Sequence, residues 1–585
     1  MNTYSVMFGG EAGYGVMSAG MMVARAASRN SLWSMVVNEY PSLIKGGLNT
    51  CMARLGAEPL AAHEESFQFL GALSQQAFDQ NYSKVRTDGI VLYDCEAVKT
   101  PEVQGDAPGT WIGLPLLQKL PGDAAKVMGN SALLGAFCAL SGFPRAAILQ
   151  VMNDEFKKES VREQNKAIFE AAFKEAAAKC CPASGLFGLP MAASQEPKML
   201  LNGNDALAMG AIQGGCRFCA GYPMTPGSSV LVYMADQGAR YGVVFKQAED
   251  EIAAVNMLIG ASYAGVRSLA STSGGGFALM VEALGFAAQA ELPIVLVNAQ
   301  RGGPSTGMPT RTAQADLLFT TFASQGEFPR FVLAPGDVDE CFYETARLFD
   351  LTERFQVPGL ILTDKYLADS SVSRPFFTTP LEPQVEAGRA SEEWLAAQQP
   401  YLRYSEAAGS EAPPRAVPGQ KGGAYIATSY THSDDGFYSS GDKEYAAREP
   451  ETAVAGLDRW YEKLPAMEAA ADGLKQYGPD EAELTLFVWG STKGAALEAM
   501  ELAKQEGLTV NVLQVLYVAP FPVQALLKTL PRVKKSLLIE GNKTAQLGFL
   551  LRGHLGYAVD ESYLKYDSRA FTPSQILARI KEVLG

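Results

Sequence analysis

The alternation of short β-rich runs with helical patterns between residues 199 and 370 constrains this chain more than any other feature. "VVF" precedes "KQAEDEIAAVNMLIGASYAG", and "SLAST", "LPIVLVN", "FVLAPG" and "GLILTD" follow with helical patterns among them. Strands of this kind form a parallel sheet covered on both faces by helices. Ligands of such sheets sit beyond the carboxyl ends of the strands. The strand ends that matter here are "KQAEDE", "STSGGG" and "NAQRGGPSTG".

The rest of the chain divides around this unit. With 585 residues and about 150 residues per domain, three or four domains are expected. Residues 1–180 begin with the strand "YSVMFGG", a glycine turn and a helix from about Met17 to Ser28, and continue through "IVLYD" to Ala-rich helices. The loop "CCPASGLFGLPMAASQEPKM" closes this first α/β unit. Residues 371–478 form a connector and helical segment. Its first part, to about 424, holds seven prolines and no clear periodicity, and a helix is expected near "AVAGLDRWYEKL". Residues 479–585 form a third α/β unit, from "LTLFVWGSTKGAALEAMELAKQEG" through "KSLLIEGNKTAQLG". The fold class is therefore α/β and multi-domain.

Composition removes several classes of function. A net charge of -14 without a long Lys/Arg run argues against a nucleic-acid surface. No window approaches 18 uninterrupted apolar residues, and "MNTYSVMFGG" lacks the basic and apolar regions of a signal peptide, so a cytoplasmic protein is expected. Eight cysteines and three histidines are too few for a disulfide framework or a rich metal site. "CRFC", with Cys216 and Cys219, and the adjacent Cys180 and Cys181 read as structural or incidental.

Three stretches carry possible chemistry. In "EDEIAAVNMLIGASYAG", Ala254, Val255 and Leu258 follow Glu251 at i+3, i+4 and i+7, which puts Glu251 on the apolar stripe. It is either a partner of the helix dipole or a carboxyl group held in a dry interface, where it can donate a hydrogen bond. In "STSGGGFALMVEALG", Ser273 and three glycines join a strand to a helix and let a ligand approach the backbone. In "NAQRGGPSTGMPTRTAQADLL", Arg301 and Arg311 are either clamps for a carboxylate or members of ion pairs. Between them and the first unit lies "GYPMTPGSSV", a stiff loop because its two prolines cannot continue a helix. Ser228 or Ser229 is expected to cap the helix that follows, to about Gln237. The amino-terminal "GGEAGYGV" reverses the dinucleotide fingerprint and reads as a strand-to-helix turn whose Gly10, Gly13 and Gly15 can expose amides to an anion.

Taken in order, these motifs resemble the alpha subunit of the 2-oxoacid:ferredoxin (acceptor) oxidoreductases, in the form with a gamma domain fused in front. "GGEAGYGVMSAG" and "EYPSLIKGGLNT" belong to the resemblance, as do "FVWGSTKGA", "LYVAPFP" and "EGNKTAQLG". It implies a gamma-type domain over 1–180, a thiamine diphosphate pyrimidine-side domain over 199–370 and a transketolase C-terminal-like domain over 479–585. The implied reaction is oxidative decarboxylation of a 2-oxoacid with coenzyme A. By the same resemblance Glu251, followed nine residues on by Gly260, is the acid that contacts the aminopyrimidine ring. Tyr222, Pro223, Thr272 and Ser273 join it in holding the cofactor, Thr225 is an active-site donor, and Arg301 with Thr310 holds the substrate carboxylate. Gly10, Gly13 and Gly15 are implied to help bind coenzyme A. Most relatives read YPITPSS where this chain has Met224 and an extra Gly227, which leaves the path of the loop to be established.

The sequence contains no "GDG" followed 25 to 30 residues later by Asn, the pattern that holds Mg2+ and diphosphate, and no four-cysteine cluster motif. A beta subunit with the diphosphate site, Mg2+ and a [4Fe-4S] cluster is therefore the expected partner, in a dimer of alpha-beta heterodimers that passes electrons to ferredoxin or a similar acceptor. The expected substrate is 2-oxoglutarate, with pyruvate or a broad 2-oxoacid range as the nearest alternative. A non-catalytic scaffold and a self-contained transketolase-like enzyme are the competing classes.

Overall fold

The computed structural model describes residues 3–42, 46–101, 108–117, 124–179, 187–191, 196, 198–378, 382–383, 388–405, 411–438 and 443–585. Cys180, Cys181 and most of the loop after them, residues 43–45 of "EYPSLIKGGLNT" and residues 439–442 lie outside that set. The chain forms two compact units.

The first unit comprises residues 1–202, 369–378 and 572–574. Its eight-stranded sheet runs Thr110–Leu114, Val85–Asp94, Phe67–Ala72, Thr3–Glu11, Leu48–Gly56, Trp33–Glu39, Ser371–Pro375, Lys198–Leu201. Thr3–Glu11 pairs parallel with Phe67–Ala72 and antiparallel with Leu48–Gly56, so the sheet is mixed. Phe8, Phe69 and Phe137 meet edge to face in its core, with centroids 4.9–6.4 Å apart, a geometry that adds to simple burial. The helix Val16–Ser28 follows the first strand through the glycine turn.

The second unit holds two sheets. The seven-stranded one runs Tyr517–Ala519, Phe331–Leu333, Gly359–Asp364, Val295–Gln300, Ser268–Thr272, Phe218–Gly221, Val244–Gln247. All its pairings are parallel except that of the edge strand Tyr517–Ala519. Val295–Gln300 and Gly359–Asp364 are buried along their whole length, as strands covered on both faces must be. The five-stranded sheet runs Leu474–Tyr477, Val510–Val515, Leu484–Val488, Ser536–Glu540, Glu561–Leu564, parallel but for its first strand. Lys493 ties the two sheets together through Asp337 at 2.5 Å and Glu340 at 2.6 Å.

The proline-rich segment is held to the seven-stranded sheet's layer by three arginines. Arg389 donates to the Gly265 carbonyl, Arg403 to the Glu291 carbonyl at 3.1 Å, and Arg415 to the Ser262 carbonyl at 2.6 Å. Arg403 and Arg415 are almost wholly buried, so these bonds form out of competition with water.

Candidate functional site

Four segments converge because each leaves the carboxyl end of a neighbouring parallel strand: Tyr222–Gly227, Ala248–Asp250, Ser273–Gly276 and the segment from Arg301 onward. Glu251 opens the helix Glu251–Tyr263 and is 3% exposed. Ala254, Val255 and Leu258 are fully buried beside it, as the spacing requires. The helix end is capped by Asp250, whose carboxylate accepts from the Ala253 amide at 2.7 Å. Glu251 is therefore not the cap, and its Oε1 is buried with no hydrogen-bond partner. A buried acceptor left bare costs about 1–3 kcal/mol unless a ligand satisfies it. Gly276 faces it: a Cβ there would fall 2.4 Å from Glu251 Oε1 and 2.1 Å from Thr272 Oγ1. Ser273 Oγ is likewise buried and unpartnered.

The loop 222–227 is pinned from three directions. Ser271 Oγ donates to the Gly227 carbonyl at 2.8 Å, Asn204 Nδ2 donates to the Pro226 carbonyl at 2.8 Å, and Arg301 Nη1 donates to the Thr225 carbonyl at 2.6 Å. Gly227 earns its place through this contact, since a Cβ there would lie 2.5 Å from the Thr272 carbonyl oxygen. Met224 reaches back to Thr272, whose hydroxyl lies 3.9 Å from the Met224 sulfur. Tyr222 and Pro223 are exposed and Thr225 is half-buried. The expectation of a serine cap is not met. The helix Ser228–Gln237 begins after Gly227 without a side-chain cap, and Asn204 donates to the Ser229 hydroxyl at 2.6 Å instead.

Arg301 is half-buried, and burial pulls its guanidinium below its usual range. The Thr225 carbonyl takes one of its five donors, which leaves the others for an anion. The loop after it folds back on itself: Met308 N bonds to the Gly302 carbonyl at 2.7 Å and Gly302 N to the Arg311 carbonyl at 3.2 Å. Arg301 and the buried Thr310 each stand one residue from that second bond. Arg311 is half-buried in the same loop.

In the first unit, Gly10 is the last residue but one of its strand, opposite Asn49, and Gly13 and Gly15 have φ of 102° and 71°, a region that favours glycine. The helix Val16–Ser28 starts at Gly15 with no side-chain cap. A Cβ on Gly13 would meet nothing within 4 Å, whereas one on Gly15 would lie 3.0 Å from the Asn130 side chain. Cys216 and Cys219 are buried and free, and burial pushes the Cys216 thiol up to about 12.

Sequence reasoning passed over Asn204, Ser271 and Asp316. Asn204 has no motif around it, and Ser271 opens the quoted "STSGGG" but reads only as part of a strand. Asp316 stands in the quoted "TRTAQADLL", and burial raises its carboxyl above the usual range against the hydrogen bond from Asn298.

Comparison with known proteins agrees with this arrangement. The family model described as "Pyruvate flavodoxin/ferredoxin oxidoreductase, thiamine diP-bdg" matches residues 209–444, and "Pyruvate ferredoxin/flavodoxin oxidoreductase" matches residues 5–175. The chain is 28% identical to the 2-oxoacid:ferredoxin oxidoreductase subunit alpha of Saccharolobus solfataricus, over 99% of this chain and 98% of that one. It is 32% identical to the 2-oxoglutarate synthase subunit KorA of Methanothermobacter thermautotrophicus, over 65% of this chain and 97% of the relative. The solved structure of 2-oxoglutarate:ferredoxin oxidoreductase from Magnetococcus marinus, with 2-oxoglutarate, coenzyme A and succinyl-CoA bound, superposes with a TM-score of 0.88 at 29% identity, covering all of both chains. On these matches the chain belongs to the 2-oxoacid:ferredoxin oxidoreductase family and corresponds to its alpha subunits.

Proposed function

We propose that this chain is the alpha subunit, with a gamma-type domain in front, of an enzyme that oxidatively decarboxylates 2-oxoglutarate with coenzyme A. The products are succinyl-CoA and CO2, and the electrons pass to ferredoxin or a similar acceptor. The observation that carries this reading is the buried Glu251 Oε1, which has no hydrogen-bond partner and packs so close to Gly276 that a Cβ there would fall 2.4 Å from it. An unpartnered buried acid and the unpartnered Ser273 hydroxyl suit a heteroaromatic amine, and thiamine diphosphate presents one. That cofactor, when bound, supplies the electron sink that lets a 2-oxoacid lose CO2.

The chain's own residues have separate tasks. Glu251 holds a proton at Oε1 for a ring nitrogen, and Thr272 and Ser273 line the same turn. Tyr222, Pro223 and Thr225 cover the site from a loop that its three bonds hold in place. Arg301, with Thr310, takes the 2-oxoacid carboxylate on the donors that Thr225 leaves free. Gly10, Gly13 and Gly15 offer amides to an anionic group of coenzyme A. The domains follow as 1–180, 199–370, 371–478 and 479–585.

The site requires a beta subunit that brings Mg2+, the diphosphate ligands and a [4Fe-4S] cluster, in a dimer of alpha-beta heterodimers. Among the described residues no helix is long and apolar enough to cross a membrane, and we place the complex in the cytoplasm. The test is an assay of the assembled complex for coenzyme A-dependent reduction of a viologen dye with several 2-oxoacids. Highest kcat/KM with 2-oxoglutarate is expected. Preference for pyruvate overturns the substrate, and no reduction with any 2-oxoacid overturns the reading.

A further inference from the structure

The helix Gly274–Gln289 begins without the cap its sequence offers. Ser273 occupies the N-cap position but makes no side-chain cap bond, although serine there ordinarily accepts from an amide two or three residues on. A carboxyl from a different loop lies against this helix start. A Cβ on Gly274 would fall 2.5 Å from Asp316 Oδ2 and 3.5 Å from Oδ1, so the Asp316 carboxyl occupies the place a side chain would take.

Asp316 is aimed there by two residues of the strand Val295–Gln300. Asn298 Nδ2 donates to Asp316 Oδ2 at 3.3 Å and to Thr320 Oγ1 at 3.2 Å. The Asp316 amide donates to Gln300 Oε1 at 2.9 Å, and Gln300 Nε2 is itself fixed on the Thr363 carbonyl at 3.0 Å. The Thr320 amide closes the turn on the Asp316 carbonyl at 2.8 Å. Phe319 then meets Phe277 of the helix's first turn edge to face, with centroids 5.2 Å apart. Asn298 thus holds the carboxyl, and Gln300 the backbone, of Asp316 at the start of the glycine turn.

We propose that Asp316 is a positioning residue for the cofactor turn: it stands in for Ser273 as the polar partner of the helix's positive end, so that the Ser273 hydroxyl and Glu251 Oε1 stay available to the ligand. The inference rests on the reading of Ser273–Gly276 as part of a thiamine diphosphate half-site. An anion at that end favours the helix start, and its bulk keeps the turn at the distance from Glu251 that the missing Gly276 side chain allows.

The test uses the chain assembled with its partner subunit and reads equilibrium binding of thiamine diphosphate with Mg2+ by calorimetry, with Glu251→Ala as the reference. Asp316→Ala is expected to weaken binding about tenfold. Asp316→Asn keeps an acceptor for Asn298 and bulk against Gly274 but removes the charge, and recovers only part of that loss. The two positions also couple. Gly274→Ala weakens binding in the wild-type chain and adds little in the Asp316→Ala background, where the methyl has room. If thermal unfolding shows that Asp316→Ala does not fold, Asp316→Ser takes its place in both comparisons. Wild-type affinity in the variant, or additive losses in the pair, overturns the role of Asp316 while Glu251→Ala still weakens binding. Unchanged binding in Glu251→Ala overturns the half-site reading, and the Asp316 proposal with it.

Discussion

Arg301 Nη1 donates to the backbone carbonyl of Thr225 at 2.6 Å, across 76 residues of sequence. One guanidinium therefore both supports the proline loop and presents its remaining donors to the space beside it. Any substitution at Arg301 is read through both tasks.

Arg301→Lys should raise KM for the 2-oxoacid strongly. An ammonium replaces a planar fork with a single point charge and cannot serve the Thr225 carbonyl and a carboxylate in the same geometry. Loss of one charge-assisted contact costs roughly 1.5–3 kcal/mol, about ten- to a hundredfold in KM. A shift in the KM for coenzyme A with the 2-oxoacid KM unchanged would remove Arg301 from the substrate site.

Gly276→Ala should injure the cofactor site and the fold together. The added methyl would lie 2.1 Å from Thr272 Oγ1 and 2.4 Å from Glu251 Oε1, both on buried residues. Overpacking of this kind costs about 1–3 kcal/mol, measurable by urea unfolding of the chain. Thiamine diphosphate binding to the complex should fall as well. Unchanged stability and unchanged binding would mean that the turn and Glu251 are not in contact.

What the sequence revealed and what it hid separate along physical lines. Glu251 was legible because helical period places it among Ala254, Val255 and Leu258, and the proline loop because two prolines leave few backbone paths. The role of Asp250 as the cap needed coordinates, since Glu249, Asp250 and Glu251 are adjacent acids. The failure of Ser228 and Ser229 to cap has the same origin: Asn204, 25 residues before Ser229, takes the hydroxyl. The anchors Arg389, Arg403 and Arg415 bond to backbone carbonyls, which carry no side-chain pattern to read. Lys198–Leu201 and Ser371–Pro375 join the first sheet by pairing across 170 residues or more, where local propensity is silent.

Glu291 gives a pH-dependent test of the helical segment. It is buried, accepts from Arg459 and from Trp460 Nε1 at 3.0 Å, and faces Lys463 at 3.4 Å. Burial opposes its charge, but Lys463, Arg459 and Arg403 outweigh burial and hold the carboxyl well below the usual carboxylate range. Since the folded value lies below the unfolded one, the stabilisation is full above the unfolded value and is lost as pH falls through the folded one. Glu291→Gln should therefore cost about 3–5 kcal/mol at neutral pH, as for a broken buried pair. The gap to wild type should narrow below about pH 4 in denaturant unfolding. A gap that stays constant down to pH 3 would contradict the ion-pair account.

The isolated chain should bind no iron and should bind thiamine diphosphate with Mg2+ weakly. On the proposed reading its half of the site offers Glu251 and apolar contacts, and the diphosphate and Mg2+ ligands are left to a beta subunit. Adding the beta subunit should create the high-affinity site across an interface larger than about 2,000 Å2. Submicromolar affinity in the chain alone, measured by calorimetry, would favour a self-contained enzyme.

The central claim is that Glu251, and neither of the acids just before it, serves the cofactor. The most direct measurement compares turnover of the assembled complex carrying Glu251→Gln with that carrying Glu249→Gln. A glutamine keeps the shape of Glu251 but cannot exchange the proton, so turnover should fall by at least about a hundredfold while assembly persists. Glu249→Gln should stay near wild type. Near-normal turnover in Glu251→Gln with loss in Glu249→Gln would contradict the account.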